Sequence, residues 1–285
     1  MIGLKRGTVS LFPHEEEWEK EAERTVRKLK AILGDTAADI QHVGSTSVRS
    51  IYAKPIIDIA VGVYSFEDVM LYESELRNAG FFYRSSSIAD QLLFAAGSFY
   101  EGTGDLQTHF IHVVKYGGKA WTDYINFRNY LNENIAAARE YEALKLRLAA
   151  EAPVDSGRER YLAGKHDFIV NTLRKAAVNA LLGKTVKIKI DRPLGTEHKG
   201  MLYPVNYGYI PGTFGGDGEE LDVYLLGVNT PVKEYECSII GAIYRKNDVE
   251  DKLIGAPEDV MFTKEEIEDA VRFQEQWFIT ETAVI

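Results

Sequence analysis

The chain has 285 residues, 45% apolar and 27% charged, with a formal net charge of −10. These values exclude disordered, collagenous and fibrous classes and lead to the expectation of two compact units. No run approaches the ~20 consecutive apolar residues of a spanning helix, the start turns acidic at Glu15, and Cys237 is the only cysteine, so a cytoplasmic protein without membrane partner or disulfide is expected.

Trp18, Ala22, Val26, Leu29, Ile32 and Leu33 recur at three- and four-residue spacing, which predicts a helix from Glu15 to a stop at Gly34. Asp39 to Val43 and Pro55 to Val63 read as strands, the second an almost unbroken apolar run suited to the middle of a sheet. Phe66 to Asn78 reads as a helix. Strands at Gln91 to Ala96 and Thr108 to Lys115 and helical stretches at 119–150 and 157–182 complete an α/β or α+β domain over residues 1–182.

From Gly183 the texture changes. Thr185 to Asp191 alternates Val and Ile with Lys, and Gly, Pro, Asp and Tyr are dense through Gly227. Apolar runs at Leu221 to Leu226 and Ile239 to Tyr244 follow. Such short strands with turn clusters predict a small β-barrel or sandwich over 183–285. A last helix starts at Thr263 in a capping-box pattern with Glu266 and runs to about Phe278. Residues 179–285 hold 11 basic and 19 acidic residues, which argues against a nucleic-acid partner and for divalent cations.

In the first domain, the small residues of His42-Val43-Gly44-Ser45-Thr46-Ser47 follow a strand and would let backbone N–H groups approach a phosphate. Asp58 sits within the apolar strand Ile56 to Val61, where a carboxylate is costly unless paired or holding a metal. His42 to Val48 and Lys54 to Ile59, continued by Thr108 to Val113, Trp121, Phe127 to Leu131, Tyr141, Tyr161 and Lys165, resemble the GrpB family over about residues 7–178. The resemblance implies a nucleotidyltransferase-like fold, with nucleotide at Gly44, Ser45 and Lys54 and metal at Asp58. Ala60 stands where active nucleotidyltransferases usually carry a second acid, and His112 replaces the acid of the third strand. His109 and His112 are expected on opposite faces of their strand.

In the second domain, Asp217-Gly218-Glu219-Glu220-Leu221-Asp222 packs four carboxylates into a turn, and Asp248 to Lys252 is a second acidic turn. Converging like charges repel unless cations bind, and hard oxygen ligands without sulfur favour Mg²⁺ or Mn²⁺. Tyr203 to Thr213, with the acidic turn four residues on, Asp191-Arg192 upstream and Asp248 to Leu253 downstream, resembles family I soluble inorganic pyrophosphatases over about 184–279. The resemblance implies an OB-like barrel that hydrolyses pyrophosphate with several Mg²⁺ ions. By position, Asp217, Glu219, Asp222, Asp248 and Asp251 would hold metal, Arg192, Lys252 and Tyr203 would bind substrate phosphate, and Glu219, Asp222 and Tyr207 would form the catalytic set.

Three departures go with it. Glu219 stands where the family has aspartate, the hairpin expected before Asp191 has no matching positions, and the family's late Tyr-Lys phosphate contacts do not appear before Ile285. The whole chain is expected to pair pyrophosphate hydrolysis with nucleotide binding or nucleotidyl transfer, whose product the barrel would remove. The alternatives are a degenerate nucleotide- or phosphate-binding protein and a nucleotidyltransferase with a non-catalytic barrel. Pyrophosphate and a nucleoside triphosphate are the expected small-molecule partners, and a homo-oligomer is expected because incomplete barrels leave edges to cover.

Overall fold

In the computed structural model, which describes residues 1–84, 90–98, 105–152 and 157–285, each of two units is organised by one sheet. The units are Met1–Ile169 and Val170–Ile285.

Unit 1 begins with β1 (Leu4–Lys5) and α1 (Glu16–Leu33). Trp18, Ala22, Thr25, Leu29 and Leu33 form the buried stripe of α1, its acids lie in the first turn, and it stops at Gly34 with φ +52°, a value in the region that glycine enters without a Cβ penalty. Then come β2 (Ala37–Val43), β3 (Ile57–Val63), α2 (Phe66–Met70), α3 (Glu73–Asn78), β4 (Phe82–Arg84), β5 (Gln91–Ser98) and β6 (Leu106–Lys115). The strands lie in the order β2-β3-β6-β5-β4, with β3 and β6 parallel and β1 paired to the start of β6.

Strand alternation sorts β3. Ile57, Ile59, Val61 and Val63 join Trp18, Leu29 and Leu33 in the main core. Ala60 packs on the other side with Val43, Val114 and Trp121. Fully burying such a side chain contributes roughly 1.5–3 kcal/mol, so this two-sided burial holds the centre of the sheet in place while it carries Asp58.

Helices α4 (Lys119–Glu133), α5 (Ile135–Glu151), α6 (Arg158–Gly164) and α7 (His166–Asn179) follow. The single helical stretch expected over 119–150 is broken at Asn134, whose extended backbone and side chain cap α5 through the Ala137 N–H. One face of α5 grips the segment before β3: Arg139 donates to the Ser50 carbonyl, Glu142 accepts from the Tyr52 N–H and Lys145 donates to the Tyr52 carbonyl.

Unit 2 contains β7 (Thr185–Arg192), β8 (Glu197–His198), β9 (Met201–Leu202), β10 (Asn206–Tyr209), β11 (Asp222–Leu225), β12 (Glu234–Arg245), β13 (Lys252–Ala256), α8 (Lys264–Glu275) and β14 (Thr280–Val284). Strands β13-β11-β10-β7-β12 pair in sequence and β12 pairs back to β13, closing a five-stranded barrel; β14 adds to β12. Among these pairs only β11 and β13 run parallel. The small barrel with a C-terminal helix is therefore the expected architecture, although β14 follows that helix.

The register of β7 against β10 shifts at Tyr207/Gly208, where a Cβ on Gly208 would lie 1.9 Å from the Lys189 carbonyl oxygen. Only glycine permits that approach, which sets the entry of Tyr207. Fully buried Asn206 fixes the strand end, accepting from the N–H groups of Leu194 and Val232 and donating to the carbonyls of Val228 and Thr230. Helix α8 opens with the capping box of Thr263 and Glu266 and sets Ile267 and Val271 against Tyr203, Tyr207 and Tyr224. Among the described residues, no helix is long and apolar enough to cross a membrane.

Candidate active site

The open end of the barrel carries a cavity of about 440 Å³ bordered by Arg192, Tyr203, Tyr207, Asp217, Glu219, Asp222, Asp251 and Lys252. These come from the end of β7, the entry and start of β10, the acidic turn before β11 and the start of β13. Arg192 donates to the Tyr203 hydroxyl at 2.9 Å, and its guanidinium lies 4.9 Å from the centre of the Tyr207 ring. Tyr203 and Tyr207 meet edge to face at 5.5 Å. Tyrosine packing thus presents the guanidinium to the cavity, with donors left for an anion.

Opposite, Lys252 is 1% exposed and its ammonium donates to Asp222 at 2.5 Å and to Glu250 at 2.7 Å. Tyr207 is hydrogen-bonded to Asp222, and burial together with the Asp222 charge pushes its phenol well above the ordinary range. It therefore remains a donor at physiological pH. Asp217, Glu219 and Glu220 are exposed on the turn: the Asp217 carboxylate accepts from the Glu219 N–H, and Glu220 accepts from the Gly212 N–H.

Two of the expected metal ligands are engaged elsewhere. Asp251 lies one residue out of phase with Lys252, so its carboxylate turns away; its side chain has no exposed surface, Arg174 Nε lies 2.9 Å from one oxygen and the Arg245 N–H donates to the other. Asp248 pairs with Arg245 at 3.0 Å. Arg245 is itself 2% exposed and bound through two nitrogens to Glu275, which also accepts from Tyr224. Among the described residues, no three His, Cys, Asp or Glu side chains converge as one metal-holding group.

The sequence reading passed over Glu250, which borders the cavity beside Lys252. Glu250 lies two residues ahead of the Lys252 that it accepts from, just before β13 begins, where no strand pattern marks it. His198, Lys199 and Gln274 also border the cavity, with no local pattern to mark them.

Unit 1 has a second polar centre. Gly44, at φ +71°, leads from β2 into a short turn, and a Cβ there would lie 2.5 Å from an Asp58 carboxylate oxygen. The small residue thus has a concrete reason: the backbone passes directly over Asp58. His112 lies 3.2 Å from Asp58 and is hydrogen-bonded to Gln91, while His109 faces the other side of β6 and meets Thr25 of α1 at 3.1 Å. The opposite facing of the two histidines follows from strand alternation. Burial lowers the His42 pKa to about 4, and this neutral ring meets Thr46 within the turn at 2.9 Å. Ser45 is hydrogen-bonded to Tyr141, and Lys54 lies over the Tyr161 ring at 4.3 Å.

The fold and the site define an α/β unit followed by a closed barrel with a cavity lined by charged and tyrosine side chains. A model of the family described as GrpB protein matches residues 8–175, and one described as inorganic pyrophosphatase matches 173–281. The chain belongs to the GrpB family, and the segment that follows the GrpB domain resembles inorganic pyrophosphatase. It is 38% identical over 177 residues to the glutamate-rich protein GrpB of Alkalihalophilus pseudofirmus, a match covering 61% of this chain and 99% of that protein. The crystal structure of conserved protein GrpB from Enterococcus faecalis superposes with a TM-score of 0.53 at 31% identity, covering 59% of this chain and 96% of the other. An inorganic pyrophosphatase of Saccharolobus solfataricus is 46% identical over 74 residues, 25% of this chain and 41% of that protein. The pyrophosphatase match therefore spans about two fifths of that relative's length.

Proposed function

We propose that unit 2 hydrolyses inorganic pyrophosphate, or a related phosphoanhydride, with Mg²⁺ or Mn²⁺. The observation that carries this reading is that Arg192, Lys252, Tyr203, Tyr207 and Asp222 border one cavity within a pyrophosphatase-matching segment. The donors that border the same cavity, Asp217, Glu219, Asp222 and Glu250, are all hard oxygens and fit these ions. A bound divalent ion would neutralise phosphate charge and make water a better nucleophile.

The chain's own groups do the rest. Arg192 offers a planar pair of donors to one phosphate, and Lys252 brings a point charge to the other. Tyr207 keeps its proton and is hydrogen-bonded to Asp222; once Lys252 turns from Asp222 to the substrate phosphate, Asp222 takes a proton from the attacking water. Phosphate release from pyrophosphate with each metal, in the full chain and in Arg192→Ala and Asp222→Asn variants, tests the reading. Release that falls by about 100-fold or more in both variants supports it. Tight pyrophosphate binding without release would establish a binding protein instead.

For unit 1 the reading is binding of a nucleoside triphosphate at Gly44, Ser45, Lys54 and Asp58. It is supported by the passage of the Gly44 backbone over Asp58. Ala60 leaves the strand with one acid, so binding is proposed rather than transfer. Where transfer did occur, pyrophosphate removal by unit 2 would make it irreversible.

A further inference from the structure

The hairpin of β8 and β9 forms a part of the cavity wall that pyrophosphate hydrolysis leaves unused. Glu197 pairs with Leu202 and His198 with Met201, so Lys199 and Gly200 are the two central residues of its turn. Both have positive φ, +51° and +75°, the combination of a type I′ turn. Glycine enters that region freely and asparagine commonly, whereas a lysine there works against its own backbone. Local turn chemistry gives no reason for Lys199, and residues held against their backbone preference gather at ligand sites.

Lys199 and His198 both border the cavity. Among the described residues, neither side chain has a hydrogen-bond or ion-pair partner, although the carboxylates of the acidic turn border the same cavity. Gln274 of α8 borders it too, and its carboxamide oxygen is buried without a hydrogen-bond partner. Such an atom is costly until a ligand completes it. A half-turn of the carboxamide puts its N–H₂ in that place, where it would donate to an anion.

Arg192 and Lys252 already bring one cation to each phosphate of pyrophosphate, so Lys199, His198 and Gln274 are donors beyond that number. The cavity, about 440 Å³, falls within the roughly 300–1,000 Å³ of pockets that enclose drug-sized ligands. We propose that it takes a linear triphosphate chain, with Lys199, His198 and Gln274 holding the third phosphate. The inference rests on the phosphoanhydride reading of unit 2 for the chemistry and on the hairpin for the length of the chain. Inorganic tripolyphosphate and the triphosphate of a nucleotide share this chemistry. Hydrolysis of either forms one P–O bond to water and breaks one bridging P–O bond, leaving orthophosphate and a diphosphate, while the proton of water passes to Asp222.

Calorimetry in Mg²⁺ with imidodiphosphate and diimidotriphosphate, whose P–N–P bridges resist hydrolysis, tests the chain length on the full chain. The barrel's binding event is the one that Arg192→Ala weakens. Lys199→Asn removes the charge and leaves Asn-Gly, the pair that type I′ turns prefer, so the hairpin is kept. At the barrel's event, diimidotriphosphate is expected to bind at least tenfold tighter than imidodiphosphate. Lys199→Asn combined with His198→Asn should weaken diimidotriphosphate at least tenfold and imidodiphosphate less than threefold, and Lys199→Arg should bind as the parent does. Equal weakening of both anions would show only a general field of charge and overturns the proposal, as does diimidotriphosphate bound no tighter than imidodiphosphate. Either result spares the pyrophosphate reading, whereas no event sensitive to Arg192→Ala removes both. The same titration with an ATP analogue bridged by nitrogen between its β and γ phosphates separates the two sources: Lys199-dependent binding supports a nucleotide, and refusal of the analogue with diimidotriphosphate bound supports the inorganic chain.

Discussion

Arg174 of α7 lies 2.9 Å from the carboxylate of Asp251, a side chain with no exposed surface. The contact is charge against charge rather than an in-line hydrogen bond, because both atoms lack a hydrogen-bond partner of good geometry. The same guanidinium donates to the carbonyls of Asp248 and Arg245. Arg174 thus holds the turn that delivers Glu250 and Lys252 to the cavity, and burial still pushes the Asp251 carboxyl above its usual range.

Removing Arg174 alone leaves a buried carboxylate without its cation, a change that costs about 3–5 kcal/mol in such pairs. Urea unfolding of Arg174→Met is expected to show a loss of that order. Adding Asp251→Asn should return much of it. A double variant as unstable as the single one would show that the carbonyl contacts, not the charge pair, hold the turn.

Lys252 stands between Asp222 and Glu250 as an internal cation. In Lys252→Met these carboxylates face the cavity without it, so Mn²⁺ should bind severalfold tighter while phosphate release from pyrophosphate falls by about 100-fold. Binding measured by quenching of water relaxation reads the first effect directly. Weaker Mn²⁺ binding in this variant would mean that the lysine orders the ligands instead of competing with the ion.

Glu219 reaches one methylene further than an aspartate, and a displacement of about 1 Å in a reacting group can cost ~100-fold. Glu219→Asp is expected to raise kcat for pyrophosphate by about tenfold or more. The side chain is exposed on its turn, so stability should barely change. A fall in kcat would show that this turn is matched to the longer acid.

Much of the barrel site was legible because its signals are local. Tyr203, Tyr207 and Asp222 belong to one continuous stretch, and Arg192 ends a strand whose Val and Ile alternate with Lys. Asp251 borders the cavity, but its carboxylate is taken up by Arg174 and the Arg245 N–H; Asp248 to Lys252 contains almost no apolar residue, so no local pattern shows which way each acid turns. Arg174, 77 positions before Asp251, is invisible to local pattern because only tertiary folding brings it there. The break at Asn134 was hidden for another reason, since the residues on both sides favour helix and only the cap distinguishes two helices from one. In unit 1, the alternation of β6 separated His109 from His112, but the depth of Lys145 follows from packing of α5 and had no signature beyond a lysine on a helix.

Gly44 combines a positive φ with contact to Asp58. Gly44→Ala adds a Cβ 2.5 Å from one carboxylate oxygen and 2.8 Å from the Asp58 Cβ, on a backbone conformation, φ +71° and ψ −171°, that itself costs L residues roughly 1–3 kcal/mol. Unfolding should register a loss of at least about 2 kcal/mol for unit 1. Pairing it with Asp58→Gly removes the clash and leaves the backbone strain, so part of the loss should return. No recovery would place the damage in the turn alone.

Lys145 supplies a pH test with a definite sign. Its ordinary pKa of 10.5 falls to about 7 in the folded chain, first by burial and then by Lys165, with Glu142 opposing. Between these values the unfolded chain holds a proton that the folded chain does not, so stability rises with pH across that window and the full penalty applies below pH 7. The upper bound is on the order of a few kcal/mol, from ~1.4 kcal/mol per pKa unit. Lys145→Met should therefore be the more stable chain at pH 6, relative to the parent, and should lose that advantage by pH 9.5. Melting curves of the two chains across this range read the difference, in which groups common to both largely cancel. An advantage that is equal at both ends would mean that Lys145 titrates near its ordinary value, with its charge fully offset by the Tyr52 carbonyl and the Tyr141 ring.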